Sequence, residues 1–133
     1  MSLSALSERE CLELLTRAEV GRVVVSMQAL PVALPVNYWL IDDAIVFRAA
    51  PGTKLAAAVS GSVVGFEVDQ FDSATHTGWS VLVIGMSRVV TDPAEIAELD
   101  RAGLHSWLDI ELPEYVSVAV QRVSGRCLGP GRH

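Results

Sequence analysis

The sequence predicts an α+β fold: an antiparallel β-barrel of six or so strands with two to four short peripheral helices. Two observations carry that expectation. Valine supplies 19 of the 133 residues and falls in short runs of period-two character, and β-branched side chains fit a pleated, half-buried surface. Helical patterns are few, short and set between the strand-like runs, which favours α+β over a pure β fold. A barrel would close its own strand edges.

Taken in order, the chain begins with a helix from Ser7 to about Arg17. Ser7 with Glu10 three residues on forms a capping box, and Leu6 and Cys11 suit the hydrophobic staple around it. Cys11, Leu12, Leu14, Leu15 and Ala18 make one apolar stripe, and Gly21 is expected to close the helix end. Strand-like runs follow at Arg22–Met27, Val32–Leu40 and Ala44–Ala50. Pro31 and Asp42-Asp43 separate them, and the Asp pair suits a tight hairpin turn. Pro35 inside the second run predicts an edge strand or a bulge. Pro51-Gly52 marks a turn, Leu55–Ser60 a short helix and Gly61 its stop. Ser62–Asp69 reads as a strand, Gln70–Thr77 as a loop, and Gly78–Thr91 as a long strand able to serve two parts of a barrel. Gly85 within it predicts a bulge or a close backbone contact. Asp92-Pro93 starts a helix running to about Arg101, with Asp as N-cap and Pro in the first turn. Leu104–Leu112 is ambiguous, Tyr115–Val123 is the last strand, and a tail of about residues 128–133 is expected to fray.

Length and charge narrow the function. One domain of 133 residues leaves no room for separate cofactor and substrate modules. A net charge of −6, from 10 Lys+Arg against 16 Asp+Glu, does not supply the basic face of a nucleic-acid binder. Cys11 and Cys127 lack metal or disulfide spacing and are expected to be reduced thiols. No signal peptide and no membrane-length apolar run is read, so a cytoplasmic protein without membrane association is expected. The motifs of serine hydrolases, zincins, P-loops and dinucleotide-binding folds are missing. His76, His105 and His133 have no ligand spacing to other metal-binding residues, so no metal site and no catalytic set is assigned.

Three segments have the chemistry of a binding site. In Phe47-Arg48-Ala49-Ala50-Pro51-Gly52-Thr53-Lys54 a strand delivers Arg48 and a turn leads to a helix start. The free N–H groups there, the Thr53 hydroxyl, the mobile charge of Lys54 and the fork of Arg48 would suit a phosphate; the plainer alternative is a solvated Arg and Lys beside an ordinary turn. In Pro35-Val36-Asn37-Tyr38, alternation puts Pro35 and Asn37 on one face, where an amide suits a planar heterocycle. The alternative is a capping Asn and a core Tyr. Trp79-Ser80 opens a long strand, where the indole suits a core, an interface or a ligand ring.

In this order, six segments resemble the pyridoxamine 5′-phosphate oxidase-like family of flavin-binding split β-barrels, over roughly Leu6 to Arg126. They follow the helix end Glu19-Val20-Gly21-Arg22-Val23 and are Leu34-Pro35-Val36-Asn37-Tyr38, Val46-Phe47-Arg48, Gly52-Thr53-Lys54-Leu55, Val64-Gly65-Phe66-Glu67-Val68-Asp69, Gly78 to Gly85, and Val123-Ser124-Gly125-Arg126. The chain looks most like the small actinobacterial-type members. The resemblance implies a homodimer with FMN in a groove at the subunit interface. Arg48, Thr53 and Lys54 would hold the phosphate. Pro35, Val36, Asn37, Tyr38 and Phe47 would line the isoalloxazine, and Trp79 and Ser80, with Trp107 of the partner subunit, would complete the site. It implies a flavin-dependent oxidoreductase acting on a small-molecule substrate, with NAD(P)H a candidate electron donor. Two alternatives stand beside it: an F420-dependent reductase of the same fold, and a binding module without turnover. The C-terminal Trp-and-Arg substrate motif of true pyridoxamine phosphate oxidases is missing, so B6 chemistry is not expected.

Overall fold

The computed structural model describes residues 2–105, 107 and 112–129. In chain order the elements are β1 (Ser2–Leu6), α1 (Glu8–Leu15), β2 (Val20–Met27), β3 (Leu30–Ile41), β4 (Ala44–Ala49), α2 (Lys54–Val59), β5 (Ser62–Asp72), β6 (Thr77–Val89), α3 (Pro93–Arg101), β7 (Glu114–Ala119) and β8 (Arg122–Gly129). All strand pairs are antiparallel. The order β6-β5-β2-β3-β4-β7 closes on itself because β7 pairs back onto β6, giving a six-strand barrel, and β8 and β1 extend the sheet from β6. This is the expected α+β barrel with peripheral helices.

Alternation builds the interior. Val23 and Val25 of β2, Tyr38 of β3, Ile45 and Phe47 of β4, Val64, Phe66 and Val68 of β5, Val81 and Val83 of β6, and Val116 and Val118 of β7 point into one apolar core. Phe66 meets the Tyr38 ring edge-on at 5.2 Å and lies stacked 6.1 Å from Phe47. Helix α1 adds Cys11 and Leu15 to this core, and its Ser7–Glu10 capping box is formed as expected. On the outside of β3-β4-β7, a smaller cluster of Val46, Tyr115, Trp39 and Ile41 packs against Ile96 and Leu99 of α3 and against Leu104.

Several boundaries differ from the sequence reading, each for a physical reason. Helix α1 ends at the C-cap Thr16, whose N–H and hydroxyl both donate to the Glu13 carbonyl. Gly21 does not close it; it lies in β2, where a Cβ would stand 2.3 Å from the Phe66 ring. Pro35 sits opposite Arg22 in an unbroken register, without a bulge. Strand β4 pairs only with Tyr38–Ile41, so Pro35 lies on a length of β3 with one strand neighbour, which spares its missing N–H. The stretch read as a loop from Gln70 to Thr77 is half strand, because β5 runs to Asp72 and β6 starts at Thr77, leaving a four-residue turn from Ser73 to His76. The last expected strand breaks between Ala119 and Arg122 into β7 and β8. Leu128 and Gly129, read as frayed tail, belong to β8 and pair with β1; residues 130–133 lie outside the described residues. Within Leu104–Leu112, only Leu104, His105, Trp107 and Leu112 are described. Among the described residues no helix is long and apolar enough to cross a membrane.

Candidate functional site

The outer face of β3 and β4 carries the residues that the sequence reading singled out. Pro35, Asn37 and Trp39 alternate outward while Val36, Tyr38 and Leu40 pack toward the core. Tyr38 faces Phe47 in the β3–β4 ladder, so Arg48 falls one step further along, beside Asn37, and on its other side it faces Tyr115 of β7.

A cavity of about 300 Å³ opens there, lined by Val20, Pro35, Val36, Asn37, Trp39, Arg48, Trp107 and Leu112. Its walls are apolar and aromatic, with one cation and one amide as the polar exceptions. Small-molecule sites have this composition, and the volume is at the low end of their range of about 300 to 1,000 Å³. A second cavity of about 400 Å³ shares Asn37, Trp39 and Trp107 and continues past Glu19, Tyr38, Ala102 and His105.

Arg48 is the electrostatic centre of the first cavity. Its Nη1 donates to the Leu104 carbonyl at 3.2 Å. Its guanidinium carbon lies 4.8 Å from the centre of the Tyr115 ring, within cation–π range. Its Nε is buried and has no hydrogen-bond partner among the described residues. A buried donor on a charged group without a partner is costly, so the site has an unmet demand for an acceptor. The donor set fits an anionic oxygen pair.

Asn37 joins the two cavities. Its Oδ1 accepts from the Trp107 backbone N–H at 2.7 Å and its Nδ2 donates to the Glu19 carbonyl at 3.4 Å. The amide thus pins Trp107 against β3. Tyr38 donates its hydroxyl to the Leu15 carbonyl at 2.6 Å, and burial raises its pKa above the ordinary phenol range.

The remaining site candidates lie elsewhere. Phe47 is wholly buried in the barrel core and lines neither cavity. Thr53 is the N-cap of α2: its hydroxyl donates to the Ala50 carbonyl at 2.9 Å and accepts from the Ala56 N–H at 3.1 Å. Its one hydroxyl hydrogen is therefore already engaged. Lys54 heads α2, is exposed, and takes part in no ion pair among the described residues. Trp79 and Ser80 lie on β6 opposite Cys127 and Arg126 of β8. In a ring of six strands β6 is three strands from β3 by either route, so this pair sits on the far wall of the barrel. Trp39, Val20 and Leu112 were not singled out from the sequence. Trp39 had a signal, the same alternation that places Asn37 outward; the other two enter only through tertiary packing.

The fold and the site define a small closed antiparallel barrel with an arginine-bearing apolar cavity on its outer wall. The chain matches the model of the pyridoxamine 5′-phosphate oxidase family over residues 7–127 and belongs to that family. The Mycobacterium tuberculosis protein Rv0080 is 34% identical over 125 residues, 90% of this chain and 82% of that protein. Among solved structures, the chain is similar to one described as an FAD-binding protein from Mycobacterium smegmatis. The two share 30% identity and a TM-score of 0.74, covering 96% of this chain and 99% of that one. It is similar too to a structure described as an FAD-binding protein from Mesorhizobium loti, at 25% identity and a TM-score of 0.79, covering 97% and 100%.

Proposed function

We propose that the chain is an FMN-binding oxidoreductase-like protein, working as a homodimer with the flavin at the subunit interface, on a small, flat or apolar substrate. The observation that carries this reading is the buried, unpartnered Arg48 Nε beside a cavity walled by Trp39, Trp107, Pro35 and Val36. Such a site offers an aromatic, apolar wall for a planar ring and a charged donor for a phosphate. The M. smegmatis and M. loti proteins described as FAD-binding support a flavin as the class of cofactor. Lys54, exposed six positions after Arg48, is the second cation proposed for the phosphate.

A bound flavin would supply hydride or electron transfer. The chain's own residues would bind, orient and exclude water. Arg48 would anchor the anionic end. Val20, Val36, Trp39, Trp107 and Leu112 would keep the ring dry, and Asn37, held between Glu19 and Trp107, would fix the height of the indole wall. The described lining of the Arg48 cavity contains no carboxylate and no imidazole, as fits a site whose reactivity comes from the cofactor.

A second copy supplies what one barrel does not bring together. Ser80 is on the wall opposite Asn37 and would meet a ligand there only across an interface between copies, while Trp79 packs against the barrel core on the other face of β6. Val24, Gly65 and Ile84 lie in one row across β2, β5 and β6, and Val63 pairs with Met86 nearby. Val24, Val63, Leu82 and Met86 are exposed, an apolar sheet face of the kind that dimers cover. Both cysteines are free thiols, in keeping with the proposed cytoplasmic setting.

The test is the visible spectrum of the purified protein, then titration of the stripped protein with FMN, FAD and F420. Tight FMN binding with weak F420 binding is the expected outcome. Uptake of F420 alone would transfer the site to a deazaflavin. In sedimentation the flavin-loaded protein is expected at twice the chain mass, and a flavin-loaded monomer would remove the interface from the account.

A further inference from the structure

The demand that Arg48 makes on a ligand depends on how its fork is held. Nη1 is committed to the Leu104 carbonyl, and one face of the guanidinium lies against Tyr115. The edge that remains is the side-on pair Nε and Nη2, and Nε has no partner among the described residues. Two parallel N–H donors on one edge match two oxygens of a phosphate or carboxylate. Tyr115 in turn is fixed. Its ring is buried in the outer cluster with Val46, Leu99 and Leu104, and its hydroxyl donates to Asp100 Oδ1 of α3 at 2.7 Å. A phenol donating to a carboxylate is polarised toward it, which enriches the ring face that Arg48 meets.

We propose that Tyr115 and Asp100 are positioning residues for Arg48. A chain of contacts from Asp100 through Tyr115 holds the guanidinium so that its Nε–Nη2 edge meets a two-oxygen anion in the Arg48 cavity. The proposal rests on the reading of Arg48 as the phosphate anchor and adds to it. An arginine free to rotate would present any pair of donors, and its side-chain entropy would count against each encounter. The stack and the Leu104 bond remove that freedom before the ligand arrives. Helix α3 thereby becomes part of the binding apparatus, although of its residues Asp100 alone enters this chain of contacts, three contacts away from the ligand.

The readout is the ratio of the dissociation constants for riboflavin and FMN, since only FMN has the phosphate. General loosening of the fold weakens both and leaves the ratio in place; loss of a positioned fork lowers it. In the 133-residue chain, Arg48→Ala is expected to lower the ratio more than about tenfold, and Arg48→Ala with Lys54→Ala to bring it close to one. Tyr115→Leu is expected to lower it about tenfold, and Asp100→Asn, which keeps an acceptor for the phenol, to stay within about twofold of the parent. In the Arg48→Ala background, Tyr115→Leu is expected to change nothing further. Should Tyr115→Leu not fold, Tyr115→Phe keeps the volume and frees the ring from Asp100, with an expected drop of about threefold. A collapsed ratio in Arg48→Ala with an unchanged ratio in the Tyr115 variants would overturn the positioning role while leaving the anchor in place. An unchanged ratio in Arg48→Ala would overturn the anchor and the positioning role with it.

Discussion

Ala29 shows how much a single residue can be asked to tolerate. It sits in the β2–β3 turn with φ at 66°, next to Gln28 at 52°. Both residues of this two-residue turn are left-handed, the geometry that hairpins favour and that asks for Gly or Asn. A left-handed alanine is strained by roughly 1 kcal/mol. Ala29→Gly is therefore expected to raise stability by about 0.5 to 1 kcal/mol in denaturant unfolding; a loss would show that the turn is not strained. Asp42 and Asp43 repeat the geometry, at 48° and 60°, with residues better suited to it. That turn was legible because Asp is a turn residue; the break between β2 and β3 was set at Pro31, which lies in β3 opposite Ser26, because neither Gln28 nor Ala29 signals a turn. The same contrast holds at the site. Arg48 was legible as a lone cation between a strand and a turn. Tyr115 and Asp100 were not, because they reach Arg48 only through the β4–β7 pairing and the packing of α3, some 50 to 70 positions downstream.

Among the elements, β6 organises the barrel. Its far end pairs with β7 from Ser87 to Val89 and its near end with β8 from Gly78 to Ile84, on the same edge. The handover falls at Gly85, where a Cβ would stand 1.7 Å from the Ala119 carbonyl oxygen. Gln121 stitches the gap by accepting from the Met86 N–H at 2.8 Å. Gly85→Ala is expected to cost roughly 3 kcal/mol or more, because backbone has to move; a change below about 1 kcal/mol in thermal or denaturant melts would contradict the close contact. The glycine inside a valine-rich run announced this contact, and the length of the run announced a strand with two partners. The break between β7 and β8 was not announced: Val116, Val118 and Val120 alternate through it without interruption. Strand β1 was missed because Ser2-Leu3-Ser4 has little β signal of its own and is strand only where β8 offers an edge.

Over the molecule as a whole, acidic groups gather where the barrel is otherwise apolar. Arg22 on β2 bridges Glu67 at 3.0 Å and Asp69 at 3.1 Å, both on β5, on the outer sheet face proposed for the dimer. Two carboxylates share one cation. Partial burial first, and the neighbouring Asp69 second, push the Glu67 pKa up to about 7, against the Arg22 interaction. A carboxyl raised in the fold favours the native state while it is protonated, and that contribution is lost as the pH rises. Stability is thus expected to fall between about pH 4.5 and pH 7, and Glu67→Gln to flatten that slope. A wild-type profile that rises over the same window would contradict the arrangement. The barrel as a whole was legible, since period-two valine runs with short interrupting helices leave few other ways to bury this much apolar surface. The cavity was legible only in part: Pro35, Val36, Asn37 and Arg48 meet in it, and Trp107, expected from the partner subunit, lines it from the same chain, while Phe47 is in the core, Thr53 caps a helix and Trp79 stands on the opposite wall. The proposed function is tested most directly by titrating FMN into cofactor-free protein and following flavin emission. The account predicts saturable quenching at one FMN per chain, as the ring leaves water for the wall of Trp39 and Trp107. Emission that stays at the level of free FMN up to stoichiometric excess would contradict it.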